Sequence, residues 1–224
     1  MSNFSAELDN RDYEVKIGQY FSRGWEIFKD YAWGFILFTL VSGLIIGLVS
    51  VLLPSPLGAR GVDGEPFGGA NIAANILSPI LGVGYYCVAL QIARRRPRSF
   101  SDFFGGFNQF VPVFLTALVS GLLIVLGSVL LILPGIYLAV SYMFAQLLVI
   151  DKHLSFWPAM ETSRRLITKK WFSFLGLGLL MSLLIVSGLL LFGVGIFVTA
   201  PWASCVLAAA YENIVGLNSV AEQG

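Results

Sequence analysis

Residues 111–150 read VPVFLTALVSGLLIVLGSVLLILPGIYLAVSYMFAQLLVI, forty positions without an Asp, Glu, Lys or Arg. A bilayer core of about 30 Å is crossed by about 20 helical residues at about 1.5 Å each. The run is twice that length, so it is predicted to hold two spans. Pro134-Gly135 near its middle is read as the turn between them, because proline lacks a backbone donor and glycine accepts positive φ.

The same measure applied outward gives four more spans. Tyr31 to Leu53 is one, and Ile72 to Ala93 is a second, stopped by Arg94-Arg95-Arg96. Trp171 to Tyr211 is a double run, broken by Phe192-Gly193-Val194-Gly195. Six transmembrane helices are therefore expected, in an all-α polytopic bundle. Composition agrees: 57% of the 224 residues are hydrophobic, only 12% are charged, and mean hydropathy is +0.81. Average soluble domains carry about 25% charge, so a soluble globular chain is excluded. The chain is too apolar for disorder, and two cysteines cannot build a disulfide scaffold. A net charge of +1 gives no bulk attraction to nucleic acid.

Charge is excluded from the runs because it costs roughly 2.5–3.5 kcal/mol at a helix centre in the bilayer. With a cytoplasmic N-terminus, thirteen of the fourteen Lys and Arg fall on the cytoplasmic side and only Arg60 falls outside. The positive-inside rule therefore predicts cytoplasmic N- and C-termini. Residues 1–12 are polar and acidic and do not read as a cleavable signal peptide.

Self-comparison reveals a repeat. LVSGLIIGLVSVLL at Leu40–Leu53 and LVSGLLIVLGSVLL at Leu118–Leu131 share eleven of fourteen positions. A weaker third copy matches Leu122-Leu123-Ile124-Val125 and Gly127 to Leu183-Leu184-Ile185-Val186 and Gly188. Gly135-Ile136-Tyr137 aligns likewise with Gly195-Ile196-Phe197. Each unit opens with an amphipathic segment. Tyr13, Ile17, Tyr20, Phe21, Gly24, Ile27 and Phe28 share a face opposite Lys16, Gln19, Arg23, Glu26 and Asp30. Phe100, Phe103, Phe104, Phe107 and Phe110 form a second stripe behind a Ser99 or Ser101 cap. Phe156, Trp157, Met160, Ile167 and Trp171 form a third, with Arg164 at its flank. Such helices are expected in the headgroup layer, or else as extensions of the spans into a cytoplasmic core. The chain thus reads as one membrane domain, 1–224, with repeat units at about 13–93, 99–150 and 154–211 between tails 1–12 and 212–224. Three parallel repeats do not make the single inverted pair of the commonest secondary transporters.

Pro134-Gly135-Ile136-Tyr137-Leu138-Ala139-Val140, Ile150-Asp151-Lys152, Phe156 to Arg164 and Lys170-Trp171-Phe172 resemble a widespread group of bacterial integral membrane proteins of unknown function. That group is similar to the membrane-anchoring region of some glycerophosphodiester phosphodiesterases. The resemblance is clearest over the last 125 residues and implies an all-helical protein of the bacterial cytoplasmic membrane. It supplies no reaction.

No catalytic, cofactor-binding or metal-ligating set is predicted. His153 is the sole histidine, too few for a His-rich zinc site. Asp151 is read first as a helix-boundary residue paired with Lys or Arg. Cys87 and Cys205 are expected at different depths, packed rather than bonded. Gly43 and Gly47 form a GxxxG, with Ser42, Ser50, Ser120 and Ser128 as further small positions. They suit packing among the hairpins or a dimer face. Pro201 should kink the last span, and the Pro54–Ala70 loop with Arg60, Asp63 and Glu65 is the one long external loop. Arg94, Arg95, Arg96, Arg98, Arg164, Arg165, Lys169 and Lys170 are candidate contacts for anionic lipid headgroups, at about 1 kcal/mol each.

The function expected from this inventory is non-enzymatic. The protein would organise lipids or a membrane complex, with membrane lipids, a membrane protein or a second copy as partners. A transporter or channel for a hydrophobic or lipid-like substrate is the alternative, because no ionisable residue lies deep in a span. An embedded enzyme would have to use Asp151, His153, Tyr142 and Gln146.

Overall fold

The computed structural model describes residues 13–52, 72–190 and 193–216, and every regular element among them is helical. The Pro54–Ala70 loop and the tails at 1–12 and 217–224 lie outside the described residues. Helix α1 is Ile17–Asp30, α2 Ala32–Leu52 and α3 Ile72–Ala93. A 3-10 segment at Phe100–Gln109 leads into α4, Phe110–Leu130. Then come α5 Ile132–Ser141, α6 Ala145–Lys152, α7 Phe156–Thr168, α8 Trp171–Leu190 and α9 Ile196–Ile214.

Five stretches are long and apolar enough to cross a membrane: α2, α3, the 3-10 segment with α4, α5 with α6, and α8. Their outward surfaces are apolar. Leu44, Val51, Val129, Leu130, Leu183 and Leu190 are between 64% and 79% exposed. Exposed side chains of this kind on consecutive helices belong in hydrocarbon, not water. Helix α9, expected as a sixth span, is not among the five. It carries Thr199, Pro201, Ser204, Glu212 and Asn213, and most of its surface is buried by other helices. Its composition answers to helix packing, with Ala203 and Ala208-Ala209-Ala210 admitting close neighbours.

The amphipathic pattern of α1 is realised, but its stripe is covered by protein rather than left for headgroups. Tyr20, Gly24, Ile27 and Phe28 are buried. Gly24 is the closest point: a Cβ there would lie 2.7 Å from Val206 Cα of α9. Phe21 and Trp25 pack on Trp202, and the Tyr20 hydroxyl donates to Asn213 Oδ1 at 3.1 Å. The third stripe, on α7, also turns inward at Met160 and Ile167, while Trp157 is 58% exposed.

The second stripe forms a 3-10 segment of ten residues, longer than such helices usually run. Gly106 explains the fit, since a Cβ would stand 2.6 Å from Ile80 O of α3. Ser99 is its N-cap, and Asp102 Oδ2 accepts from the Ser99 N–H at 2.6 Å. Phe103 is fully buried and stacks on Phe38 at a centroid distance of 4.5 Å, within a cluster that includes Phe35, Tyr85 and Phe100. Offset and edge-on aromatic pairs of this kind add about 0.5–1.5 kcal/mol beyond area burial.

Three sequence expectations require correction. The turn between α4 and α5 falls at Leu131, which is extended (φ −158°, ψ 136°), and Pro134-Gly135 lies inside the first turn of α5. Proline is tolerated there because the first four N–H groups of a helix have no intrahelical acceptor anyway. Gly135 serves packing instead, its absent side chain making room for Ser128. Span four is also not one helix: residues 142–144 break it. The Ser163 hydroxyl of α7 donates to Ser141 O at 2.7 Å and accepts from the Phe144 N–H at 3.2 Å, replacing the lost ladder. Finally, Gly43 and Gly47 do not pack the hairpins together, since an added Cβ would meet no described atom within 4 Å. Helix α2 is buried only through Gly34, Phe35, Phe38 and Ser42.

The hairpins instead close on other glycines. Gly127 meets Gly135, and Gly188 meets Gly195, after the turn at Gly193 (φ 75°). Pro201 is buried within α9, and Cys87 and Cys205 are free thiols. These contacts set a first test. Gly24→Val should destabilise the purified chain by about 1–3 kcal/mol, whereas Gly43→Ala should change it by no more than about 0.5–1 kcal/mol. Thermal unfolding in detergent measures both.

Candidate functional site: the polar end

The charged residues gather where helices start or stop. Helix α3 ends in a Schellman turn: Arg95 is left-handed (φ 54°) and the Arg96 N–H reaches Gln91 O at 3.0 Å, before Pro97. Helix α6 ends at His153, also left-handed (φ 52°). Both turns deliver the last side chain of their helix inward. Arg94 of α3 ion-pairs with Asp151 of α6, whose side chain is fully buried. Lys152 Nζ lies 3.3 Å from Asp151 Oδ2 and the Tyr211 hydroxyl of α9 donates to that oxygen at 2.7 Å. The ends of α3, α6 and α9 are thereby tied at one carboxylate. Burial, reinforced by the nearby charge of Arg96, pushes the Arg94 guanidinium below its ordinary value.

Neighbouring ends are tied similarly. Arg98 pairs with Asp30 at 2.9 Å and lies over the Tyr31 ring, joining the far end of α3 to the start of α2. Gln109, at the start of α4, is 2.9 Å from His153 Nδ1. Arg23 reaches Glu212 at 3.4 Å, and the Tyr13 hydroxyl donates to Leu166 O at 2.5 Å.

A second cluster joins α5, α7 and α8. Arg164 grips Glu161 with Nε and Nη2, both at 2.8 Å, and Arg165 Nε reaches the same carboxylate at 2.7 Å. Hydrogen bonds from Arg164, then from Arg165, outweigh partial burial and hold the Glu161 carboxyl at about 2, well below its ordinary 4.5. The same bonds raise Arg164. Thr168 donates to Arg164 O at 2.6 Å, and its hydroxyl is 2.8 Å from that of Tyr137. Trp171 stacks on the Tyr137 ring at 6.2 Å.

The eight basic residues proposed from sequence therefore fall into different settings. Arg94 pairs with Asp151 and Arg98 with Asp30. Arg95 and Arg96 are exposed. Arg164 and Arg165 share Glu161, and Lys169 and Lys170 follow at the start of α8, both exposed. Of the residues an embedded enzyme would use, Asp151 is bonded to Arg94, Lys152 and Tyr211, and His153 lies against Gln109. Among the described residues no group of His, Cys, Asp and Glu is placed to hold a metal ion. The hydrogen-bonding roles of Tyr137, Thr168 and Tyr211 were not predicted from sequence, because they come from contacts across 31 and 60 positions.

These features define a class, the polytopic helical membrane protein with a charged, cross-tied end. No protein-family model matches the chain, and no curated protein or solved structure matches it significantly.

Two tests follow. Asp151→Asn leaves Arg94 and Lys152 facing a neutral group and should cost about 3–5 kcal/mol, read as a lower unfolding midpoint. Glu161 acts through pH. Its folded value lies below its unfolded one, so its stabilisation is full above about 4.5 and is lost as pH falls towards 2. Glu161→Gln should therefore destabilise by about 0.5–1 kcal/mol at neutral pH, the pair being partly exposed, and the gap from wild type should close across that window.

Proposed function

We propose that the chain is a non-enzymatic integral membrane protein that organises anionic lipids, or a partner complex, at its polar end. In this reading α9 is a sixth span, the helices form three repeated hairpin units, and both termini are cytoplasmic in a bacterial cytoplasmic membrane. The equivalence of the Gly127–Gly135 and Gly188–Gly195 closures supports the repeat. The resemblance to membrane-anchoring regions belongs to the same reading.

The observation that carries it is the pairing of exposed cations with exposed aromatics beside apolar helices. Arg95, Arg96, Lys169 and Lys170 are exposed, and Trp33 and Phe172 are 83% and 81% exposed at the starts of α2 and α8. Aromatic rings favour the headgroup level, and basic residues there attract anionic lipid.

The test uses the delipidated full chain in nanodiscs of phosphatidylcholine, with or without phosphatidylglycerol. Phosphatidylglycerol should raise the unfolding midpoint, and Arg95→Gln with Arg96→Gln should weaken that lipid's affinity about thirtyfold, at about 1 kcal/mol per charge. Indifference to the anionic lipid removes the reading.

A lipid-like transport substrate is favoured by one feature, a groove of about 350 Å³ between α3 and α4. It is lined by Asn75, Pro79, Ala117 and Gly121 among others. Flux of labelled lipid across reconstituted vesicles decides it.

A further inference from the structure

The connection between α4 and α5 is made of side chains that water rejects. Val129, Leu130, Leu131, Ile132 and Leu133 follow one another at the tip, each between 69% and 79% exposed. A hairpin that crosses a bilayer puts its tip into the far headgroups and water. No polar or charged residue stands at 129–133, whereas the α2–α3 connection carries Arg60, Asp63 and Glu65. The nearest polar side chain, Ser128, turns its hydroxyl back onto Ile124 O at 2.8 Å.

The backbone suits the same surroundings. In hydrocarbon, N–H and C=O groups have to be met from within the protein. The Leu131 N–H, at the turn itself, reaches Gly127 O at 3.0 Å. Pro134 removes one donor from the first turn of α5, where N–H groups lack intrahelical acceptors. Gly127 and Gly135 bring the two limbs together with no side chain between them.

The returning limb is short. Helix α5 has ten residues, about 15 Å, against a hydrocarbon core of about 30 Å. The stretch Ile132–Lys152 has the length of a span only with α6 counted in, and α6 buries Ala145, Leu147, Leu148 and Val149. Beyond Ile136 no large apolar side chain of that stretch is exposed. Polar surface begins one residue on. The Tyr137 hydroxyl meets that of Thr168, and Thr168, Lys169 and Lys170 are exposed in succession. Whatever else these lysines bind, an exposed ammonium belongs at headgroup level or in water. Tyr137 is six positions from Leu131, about 9 Å along the helix. Headgroups at Thr168 therefore put the tip inside the near leaflet.

We propose that α4 and α5 form a re-entrant hairpin, whose tip at Val129–Leu133 is embedded among lipid acyl chains and does not emerge on the far side. Both limbs enter from the side of Lys169 and Lys170. Helix α4 has 21 residues and an exposed apolar stripe at Val111, Leu118, Leu122, Val125 and Val129, so it reaches the tip on a steep slant. The inference goes beyond the function proposed above. It keeps both termini on one side and replaces two crossings by one hairpin, whether or not the polar end gathers anionic lipid.

The test reconstitutes the full chain in phosphatidylcholine vesicles with a nitroxide at one site at a time: Val111→Cys, Leu122→Cys, Leu131→Cys or Thr168→Cys. The wild-type chain, treated alike, gives the background from Cys87 and Cys205. Collision with oxygen, which concentrates at the bilayer centre, is compared with collision with a water-soluble nickel chelate. The oxygen-to-nickel ratio should rise severalfold from Thr168 and Val111 through Leu122 to Leu131. A ratio that peaks at Leu122 and falls at Leu131 marks a crossing hairpin and overturns the proposal. So does a Leu131 label shielded from both reagents, which marks a tip covered by a second copy or another protein. Leu131→Asp reads the same point without a label. It should lower the unfolding midpoint in nanodiscs, because a carboxylate is costly among acyl chains. An unchanged midpoint overturns the proposal, since a tip in water tolerates the change. Neither measurement involves phosphatidylglycerol, so this inference and the lipid-organising reading fail separately.

Discussion

A carboxylate removed from water loses several kcal/mol of hydration, and only cations and donors brought to it can restore the balance. Asp151 is such a group, with no exposed side-chain surface. Arg94, Lys152 and Tyr211 meet it from α3, α6 and α9, three elements remote in sequence. Removing one partner strands a buried charge, so the three helix ends are obliged to meet. The left-handed residues at Arg95 and His153 follow from the same obligation. Each helix must stop directly after delivering its charged side chain, and the backbone leaves by the one sharp turn open to it.

Much of this was legible in the residues because the bilayer is a severe filter. Apolar runs without charge mark where helices cross, and the stop at Arg94 and the break at Gly193-Val194-Gly195 coincide with helix ends in the structure. The pairing of Asp151 with Lys and Arg was also readable, from its place beside basic residues at a boundary. The break at 142–144 was not. Tyr142-Met143-Phe144 contains neither proline nor glycine, and what sustains the break is a serine about twenty positions later on another helix. Pro134-Gly135 misled in the opposite sense: a strong local turn signal was absorbed by the first turn of a helix.

Periodicity has a further limit. A stripe such as Tyr20, Gly24, Ile27 and Phe28 shows that one face of a helix needs an apolar surrounding, but lipid and protein satisfy that need alike. The structure meets it with α9, while Gly43 and Gly47, whose spacing suggested close packing, look onto open space among the described residues. Which neighbour covers a face is decided by the whole arrangement and not by the segment.

The seating of α1 on α9 also orders events during synthesis. The helix at Ile17–Asp30 leaves the ribosome long before the one that covers it, Ile196–Ile214. Throughout translation of the intervening chain the young α1 holds a naked greasy stripe beside its charges, so it has to rest on the membrane surface or on a chaperone until its partner emerges. Closure of the bundle is thus a post-insertion event, and a nascent chain halted before α9 would expose that stripe to cellular quality control.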